Sequence, residues 1–519
     1  MTASSQQGIT LGLLAALAAG CAVRDRRTPD DTIVVLVEAR FTSIDPRYTS
    51  SNDDGRLARL VAPGLTTMET PTLEPRPLLA ESIELRDELT VDVRLRAGLR
   101  FSDGSPLGSA DVVFTYESVL DRAMESPMLR NMRDRFSRVE ALDALRVRFH
   151  LVKPLATIMS DFEFGIVSAR AAGADRRFTD GRVVGAGPYL VESYRPDEVG
   201  LRRNPYWAFA APRTERVRVR VVPDANARAL MLVGGAADLT LNTMRVDLVD
   251  DLARSRRVAL ATGPGPKLTY LMMNGRDPAL GDARVRRAIA FAIDRERVLR
   301  AKMDGRAVLA TGMLPPGHWA YSGEVATYHH DPARARALLD EAGYPDPDGP
   351  GPRPRLRLVF KTSSDQLRVA LARVWAAELA EVGIAVEVES FEWATVLADY
   401  KVGTYQLGSM QTAAITEPDF LYAYFHSSRI PTAEEPNSLD RWAYADPRVD
   451  QLTELGRRTL ARDRRRAAYA EVQAILARDV PIIPLWHEDN VAVMNGELRG
   501  FELFPSGSLW GLLTASKTR

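Results

Sequence analysis

Cysteine is almost missing from this chain. Among 519 residues there is one, Cys21. That excludes an internal disulfide framework and any zinc site built on cysteine pairs. Histidine is scarce too, at six, and none falls in a His-Glu-x-x-His pattern. A Gly-x-Ser-x-Gly elbow and a phosphate-binding P-loop are also absent. We therefore expect neither an enzyme nor a resident cofactor or metal. Net charge is missing as well: Lys+Arg and Asp+Glu number 68 each. A nucleic-acid partner needs a basic surplus, so none is expected. No apolar run is long enough to span a bilayer. Gly185-Ala186-Gly187-Pro188-Tyr189 looks like part of a dinucleotide loop. It lacks the third glycine and has proline where a helix should open, so it is discounted.

The position of the single cysteine carries information. Leu11 to Gly20 is an apolar run of about ten residues, the length of a signal-peptide core. It ends Leu17-Ala18-Ala19-Gly20-Cys21. This resembles the lipobox of bacterial lipoproteins, which implies a signal peptide over residues 1–21 and a lipid on Cys21. Residues 22–31 are polar and charged and read as a tether. The implied place is extracytoplasmic, held to a membrane by the lipid. One feature departs from that pattern: residues 1–10 contain no Lys or Arg.

Further on, strand and helix signals alternate. Ile33 to Val37 is an apolar strand, and a helix is expected from about Asp54 to Val61, ahead of Pro63. Val91 to Arg96 alternates strictly, as a half-buried strand does. Ser109 is expected to cap a helix whose apolar face carries Val112, Tyr116 and Val119. Val217, Val219 and Val221 mark a strand, and a helix follows from Asp224 to Gly234. One long helix is expected from Asp282 to about Met303. Asp331-Pro332 and Asp446-Pro447 are helix starts with proline in the first turn. Asp463 is expected to cap a further helix, and Pro481 to Trp486 to form a strand. This spacing predicts an α/β fold.

The stretch from Trp393 to His426 stands apart. Val396, Leu397 and Tyr400 have helical spacing, and Gly403 sits where a helix-ending glycine belongs. Ser409 to Thr416 is too uncharged for an ordinary surface loop and too polar for a buried strand. Aromatic residues follow at 420, 422, 424 and 425. Small polar groups beside aromatics, just past a strand end, suit the wall of a small-molecule cleft.

Several segments together resemble the bacterial solute-binding proteins of dipeptide, oligopeptide and nickel ABC importers (family 5). They are Val93 to Val119 with its Phe-Ser-Asp-Gly turn, Gly187-Pro188-Tyr189 followed by Leu201 to Trp207, and Val285 to Arg295. Asp331 to Gly343 and Asp446 to Asp450 with Asp479 to Trp486 complete the set. The resemblance implies a two-lobed periplasmic-binding-protein fold (type II-like, cluster C), with an extra domain inserted in the first lobe. By it, residues 32–64, 183–273 and 487–519 form lobe 1, 65–182 the inserted domain and 274–486 lobe 2. It implies a monomer that closes on its ligand and delivers it to permease and ATPase subunits. Ligand contacts are implied for Ser50, Ser51 and Asn52, for Met128, and for Trp393, Tyr400, Ser409, Gln411, Thr412 and Ala414.

Ala414 is where the sequence leaves the family pattern. Peptide-binding relatives place an aspartate four residues before the proline that here is Pro418, to hold the peptide ammonium. Alanine cannot neutralise a buried ammonium. The expected ligand is thus a small solute without a free-amine anchor, with Glu417 or Asp419 as possible replacements for the missing carboxylate. A metal-chelate binder and a solute sensor without a transporter are the alternatives. The lipobox generates the first test. Cys21→Ser should move the protein from the membrane to the soluble extracytoplasmic fraction, read by fractionation and N-terminal sequencing. Wild type that is already soluble, with a mature N-terminus other than residue 21, would refute the anchor.

Overall fold

The computed structural model describes residues 28–178, 181–303, 305–349, 351–412 and 414–517. The signal-peptide and Cys21 expectations lie outside these residues. Two long antiparallel strands, Val258–Met273 and Ile482–Asn495, hold the molecule together. They pair from Val258 with Asn495 to Gly263 with Asn490, and again from Lys267 with Glu488 to Met272 with Ile482. Between these two stretches the register breaks. The intervening residues are Pro264, Gly265 and Pro266. Neither proline has an N–H to donate, so the ladder cannot run through them. Gly265 is forced by closeness: a Cβ there would lie 2.2 Å from the Glu488 carbonyl oxygen.

A single sheet continues to both sides of this pair. On one side lie Leu407–Gln411, Leu356–Ser363 and Ile384–Phe391. On the other lie Leu239–Leu241, Thr32–Val37, Arg216–Val221, Glu198–Arg203 and Tyr189–Arg195. Thr32–Val37 runs parallel to both its neighbours, as does Leu356–Ser363 to Ile384–Phe391. Parallel strands buried on both faces read as continuous apolar runs, which is why Ile33 to Val37 shows no alternation.

Separate apolar cores divide the chain. One gathers residues 33–62, 167–219, 239–241 and 492–515. A second, drawn almost wholly from residues 65–166, covers a four-stranded antiparallel sheet of its own. Two more fill the region from 268 to 486, on the two faces of the sheet.

Several local expectations shift. The helix read as Asp54 to Val61 runs Asn52–Val61, with Ser51 as its N-cap and Asp54 completing a capping box. Ser109 is the first helical residue, after Gly108. The helix expected from Asp282 to Met303 is two, Ala283–Ala292 and Arg295–Met303. The Asp294 side chain accepts the Arg297 amide at 2.8 Å and so starts a second helix where the first could have continued. Asp463 lies in the first turn of Arg462–Asp479, whose N-cap is Ala461. Both Asp-Pro starts stand, with Asp331 and Asp446 accepting amides of their first turns.

The glycines of the discounted dinucleotide motif have a packing role. Gly187 donates its amide to the Val61 carbonyl at 2.8 Å. A Cβ on Gly187 would sit 2.3 Å from the Leu60 oxygen, and one on Gly185 2.2 Å from the Val61 oxygen. Backbone oxygens at a helix end cannot swing aside. Gly187→Ala should cost about 1–3 kcal/mol, as overpacking does, and lower the unfolding midpoint in a thermal or urea melt. An unchanged midpoint would show that the contact relaxes freely.

Candidate functional site

The 407–416 segment lies against the first crossing strand, next to the register break. Thr269 pairs with Gln411, and Leu271 with Ser409. Beyond the strand, the Thr412 amide donates to the Leu268 carbonyl and the Ile415 amide to that of Pro266. The Thr412 hydroxyl accepts the Leu268 amide at 3.0 Å. Thr412 is thus tied to the neighbouring backbone by both its amide and its hydroxyl. Ser409 and Thr412 are buried, while Gln411 and Ala414 are half-buried.

Tyr400 is core: it is wholly buried, and its hydroxyl donates to the Lys361 carbonyl at 2.7 Å. Its ring crowds Gly408, where a Cβ would come within 2.5 Å of the hydroxyl oxygen. Tyr400 thus supports the Leu407–Gln411 strand from behind and offers no open face for stacking. Trp393 is exposed, with the Arg368 guanidinium 5.2 Å over its ring. Met128 packs against the core of the 65–166 region. The Ser51 hydroxyl accepts the Asp54 amide at 3.1 Å, and the Ser50 hydroxyl pairs with that of Thr42 at 2.7 Å. Asn52 is exposed. Among the described residues no hydrogen bond joins Ser50, Ser51 or Asn52 to the 407–416 segment.

The two carboxylates near Ala414 are engaged. Glu417 is buried and forms an ion pair with Arg465. Its second oxygen accepts from the Ser160 hydroxyl at 2.8 Å, reaching the region of the separate four-stranded sheet. Burial raises its pKa, and Arg465 opposes the rise. Asp419 pairs with Arg457 at 3.0 Å. Arg462 with Glu74 at 3.1 Å adds a further link between the same two regions.

Glu488 escaped the sequence reading. It lies on the second crossing strand, opposite Lys267 at the register break. One of its oxygens accepts from the Gln411 amide at 2.6 Å and from the Thr269 hydroxyl at 3.3 Å. No ion pair compensates it among the described residues. It lines a cavity together with Lys267, Asp489, Asn242 and Met244. Asn242 sits at φ +59°, and its side chain bonds Asn490 at 2.7 Å and the Val491 amide at 2.7 Å. No sequence signal links positions 411 and 488; the local signals were Pro264 and Pro266. Among the described residues no three His, Cys, Asp or Glu side chains converge as metal ligands, and no helix is long and apolar enough to cross a membrane.

The family pattern for bacterial extracellular solute-binding proteins, family 5 (middle), matches residues 74–432. The chain belongs to that family. Its members are the ligand-capturing components of ABC importers, which work with permease and ATPase subunits and are not enzymes. The glutathione-binding protein GsiB of Salmonella paratyphi A is 26% identical over 511 residues, covering 95% of each chain. A probable di/tripeptide-binding protein of Pseudomonas aeruginosa is 26% identical, covering 88% of this chain and 89% of that one. The fold matches HbpA2 of Haemophilus parasuis with a TM-score of 0.83 at 21% identity, covering 94% of this chain and all of that one. NikZ of Campylobacter jejuni, solved with Ni(L-His), gives a TM-score of 0.74 at 24% identity with the same coverage.

Two buried histidines flank the site. His318 packs behind Thr416, whose carbonyl lies 3.4 Å from its Nε2, and its Nδ1 accepts the Ala320 amide. His487 adjoins Glu488, and its Nε2 donates to the Gly312 carbonyl at 3.2 Å. Burial pushes each down to about 4. An unfolded histidine titrates near 6.5, so below that pH the unfolded chain binds protons that the folded one refuses. The contribution of each is complete above about pH 6.5 and is lost between there and about pH 4, on the order of 3 kcal/mol apiece. Buried carboxylates with raised values, Glu417 among them, act in the opposite direction. The readout is therefore a difference. The urea midpoint of His487→Gln should fall less than that of wild type between pH 7.5 and 4.5. Parallel pH profiles would refute a neutral buried His487.

Proposed function

We propose that this substrate-binding protein is lipid-anchored and captures a small peptide-like solute by bending at residues 263–267. We further propose that recognition does not run through an ammonium at position 414. The engagement of Glu417 carries this reading. With Arg465 on one oxygen and Ser160 on the other, it can turn toward a ligand only by leaving a buried guanidinium uncompensated, which costs about 3–5 kcal/mol. Asp419 is held likewise by Arg457. A micromolar ligand has about 8 kcal/mol in total, so such a rearrangement would consume much of it. The glutathione- and di/tripeptide-binding relatives support the peptide-like class. Hydrogen bonds to such a solute come from the exposed Asn52 and the half-buried Gln411, and the exposed Trp393 offers a stacking face.

One observation favours a second reading. Glu488 is an uncompensated carboxylate held by Gln411, three residues from Ala414, and it could take the ammonium in place of the missing aspartate. Calorimetry with free and N-acetylated dipeptide mixtures separates the two. The first reading expects wild type to bind the acetylated set at least as tightly as the free set. Ala414→Asp should then improve free-amine binding tenfold or more, and Glu488→Gln should change little. Preference of wild type for free amines, abolished by Glu488→Gln, would establish the second reading instead. Failure to bind either set would refute the peptide-like class.

A further inference from the structure

A second cavity lies wholly within the region from 295 to 484, away from residues 28–62 and their neighbours. It holds about 150 Å³. Its walls are apolar, formed by Leu309, Met313, Leu421, Phe425, Leu476 and Ile482 among others. Thr327 and His329 are exposed at its mouth, and the polar side chains deeper in the walls are already committed. The Arg295 guanidinium donates to the carbonyls of Ala310, Pro484 and Tyr328. The Gln473 amide nitrogen donates to the carbonyls of Ala320 and Tyr469, while its oxygen accepts the Ser322 amide. The Tyr328 hydroxyl donates to the Ala477 carbonyl at 2.9 Å.

A cavity holds water only when it offers two to four polar partners. A dry apolar cavity of about 150 Å³ instead takes up benzene-sized molecules. Charged or strongly polar occupants are excluded for the same reason as water, since burying them without partners is costly. We propose that this cavity is a second binding site, separate from the cleft, for a neutral aromatic or short branched-alkyl molecule about the size of toluene. The walls connect it to the cleft through the chain. Ile482 begins the second crossing strand, and Leu421 lies in the helix that follows the 409–419 segment. An occupant therefore presses on two elements that carry the cleft.

Toluene is the probe, read by thermal melting of the full chain. A ligand that binds the folded state alone raises the midpoint with concentration. Wild type should gain several degrees near toluene saturation. Ala477→Phe, which fills the cavity from its partly exposed rim, should lose that gain. A wild type that does not shift, or a variant that shifts equally, overturns the site. Xenon-pressurised crystals give a second reading independent of any variant. Density between Leu309, Phe425 and Leu476 is expected, and a cavity empty under pressure overturns the proposal.

Discussion

The antiparallel pairing of Val258–Met273 with Ile482–Asn495 is the constraint on which the rest depends. They sit at the middle of one sheet, with Leu407–Gln411 beside the first and Leu239–Leu241 beside the second. A sheet resists separation along its hydrogen bonds but bends where the ladder is missing. Pro264 and Pro266 remove two donors on one strand, and the register skips from Gly263 to Lys267. The interruption of the ladder is thereby confined to a few residues. The amides of Asn242 and Asn490 close off its lobe-1 side: Asn490 also reaches the carbonyls of Pro264, Phe504 and Pro505. The Pro264 carbonyl is thereby paired although the ladder is broken there.

The same strands position the candidate site. Ser409, Gln411 and Thr412 are ordered by their pairing with residues 268–271, just beside the register break. The Glu417–Arg465–Ser160 contact then ties the end of this segment to a part of the chain more than 250 residues earlier. A buried ion pair of this kind adds little net stability compared with apolar packing, but it is strict about geometry. It fixes where the segment after Ala414 can go.

Much of the fold was legible where the signals are local. Asp331-Pro332 and Asp446-Pro447 carry their whole meaning within four residues. Ile33 to Val37 could be read because a strand buried on both faces must be apolar throughout. The site was legible in outline alone. Tyr400 looked available for stacking because helical spacing cannot tell a core tyrosine from one lining a cleft. Its commitment to Lys361 and Gly408 exists only in three dimensions. Ser51 looked like a ligand contact, and its hydroxyl caps a helix. Glu488 was invisible because its bond to Gln411 crosses 77 positions. The break between Ala292 and Arg295 was missed because both halves are good helix and only Ile293 and Asp294 separate them.

The order of pairing along the chain also has a kinetic meaning. Leu239 pairs with Met494 and Thr240 with Val493, and residues from 498 to 515 fill the core begun at Ile33. The core begun at Ile33 is thus completed by residues made more than 450 positions later. The region from 268 to 486 closes its own two cores from contiguous sequence, so it can fold while the first lobe still waits for its closing strand. Contacts this distant in sequence form slowly, because loop closure must precede any gain from pairing. Until then the apolar strand Leu239–Leu241, which flanks Thr32–Val37, has an open edge, and an unpaired apolar edge is what neighbouring chains aggregate on. The same interleaving that builds one sheet from distant segments leaves this edge exposed until residues 492–494 have been made.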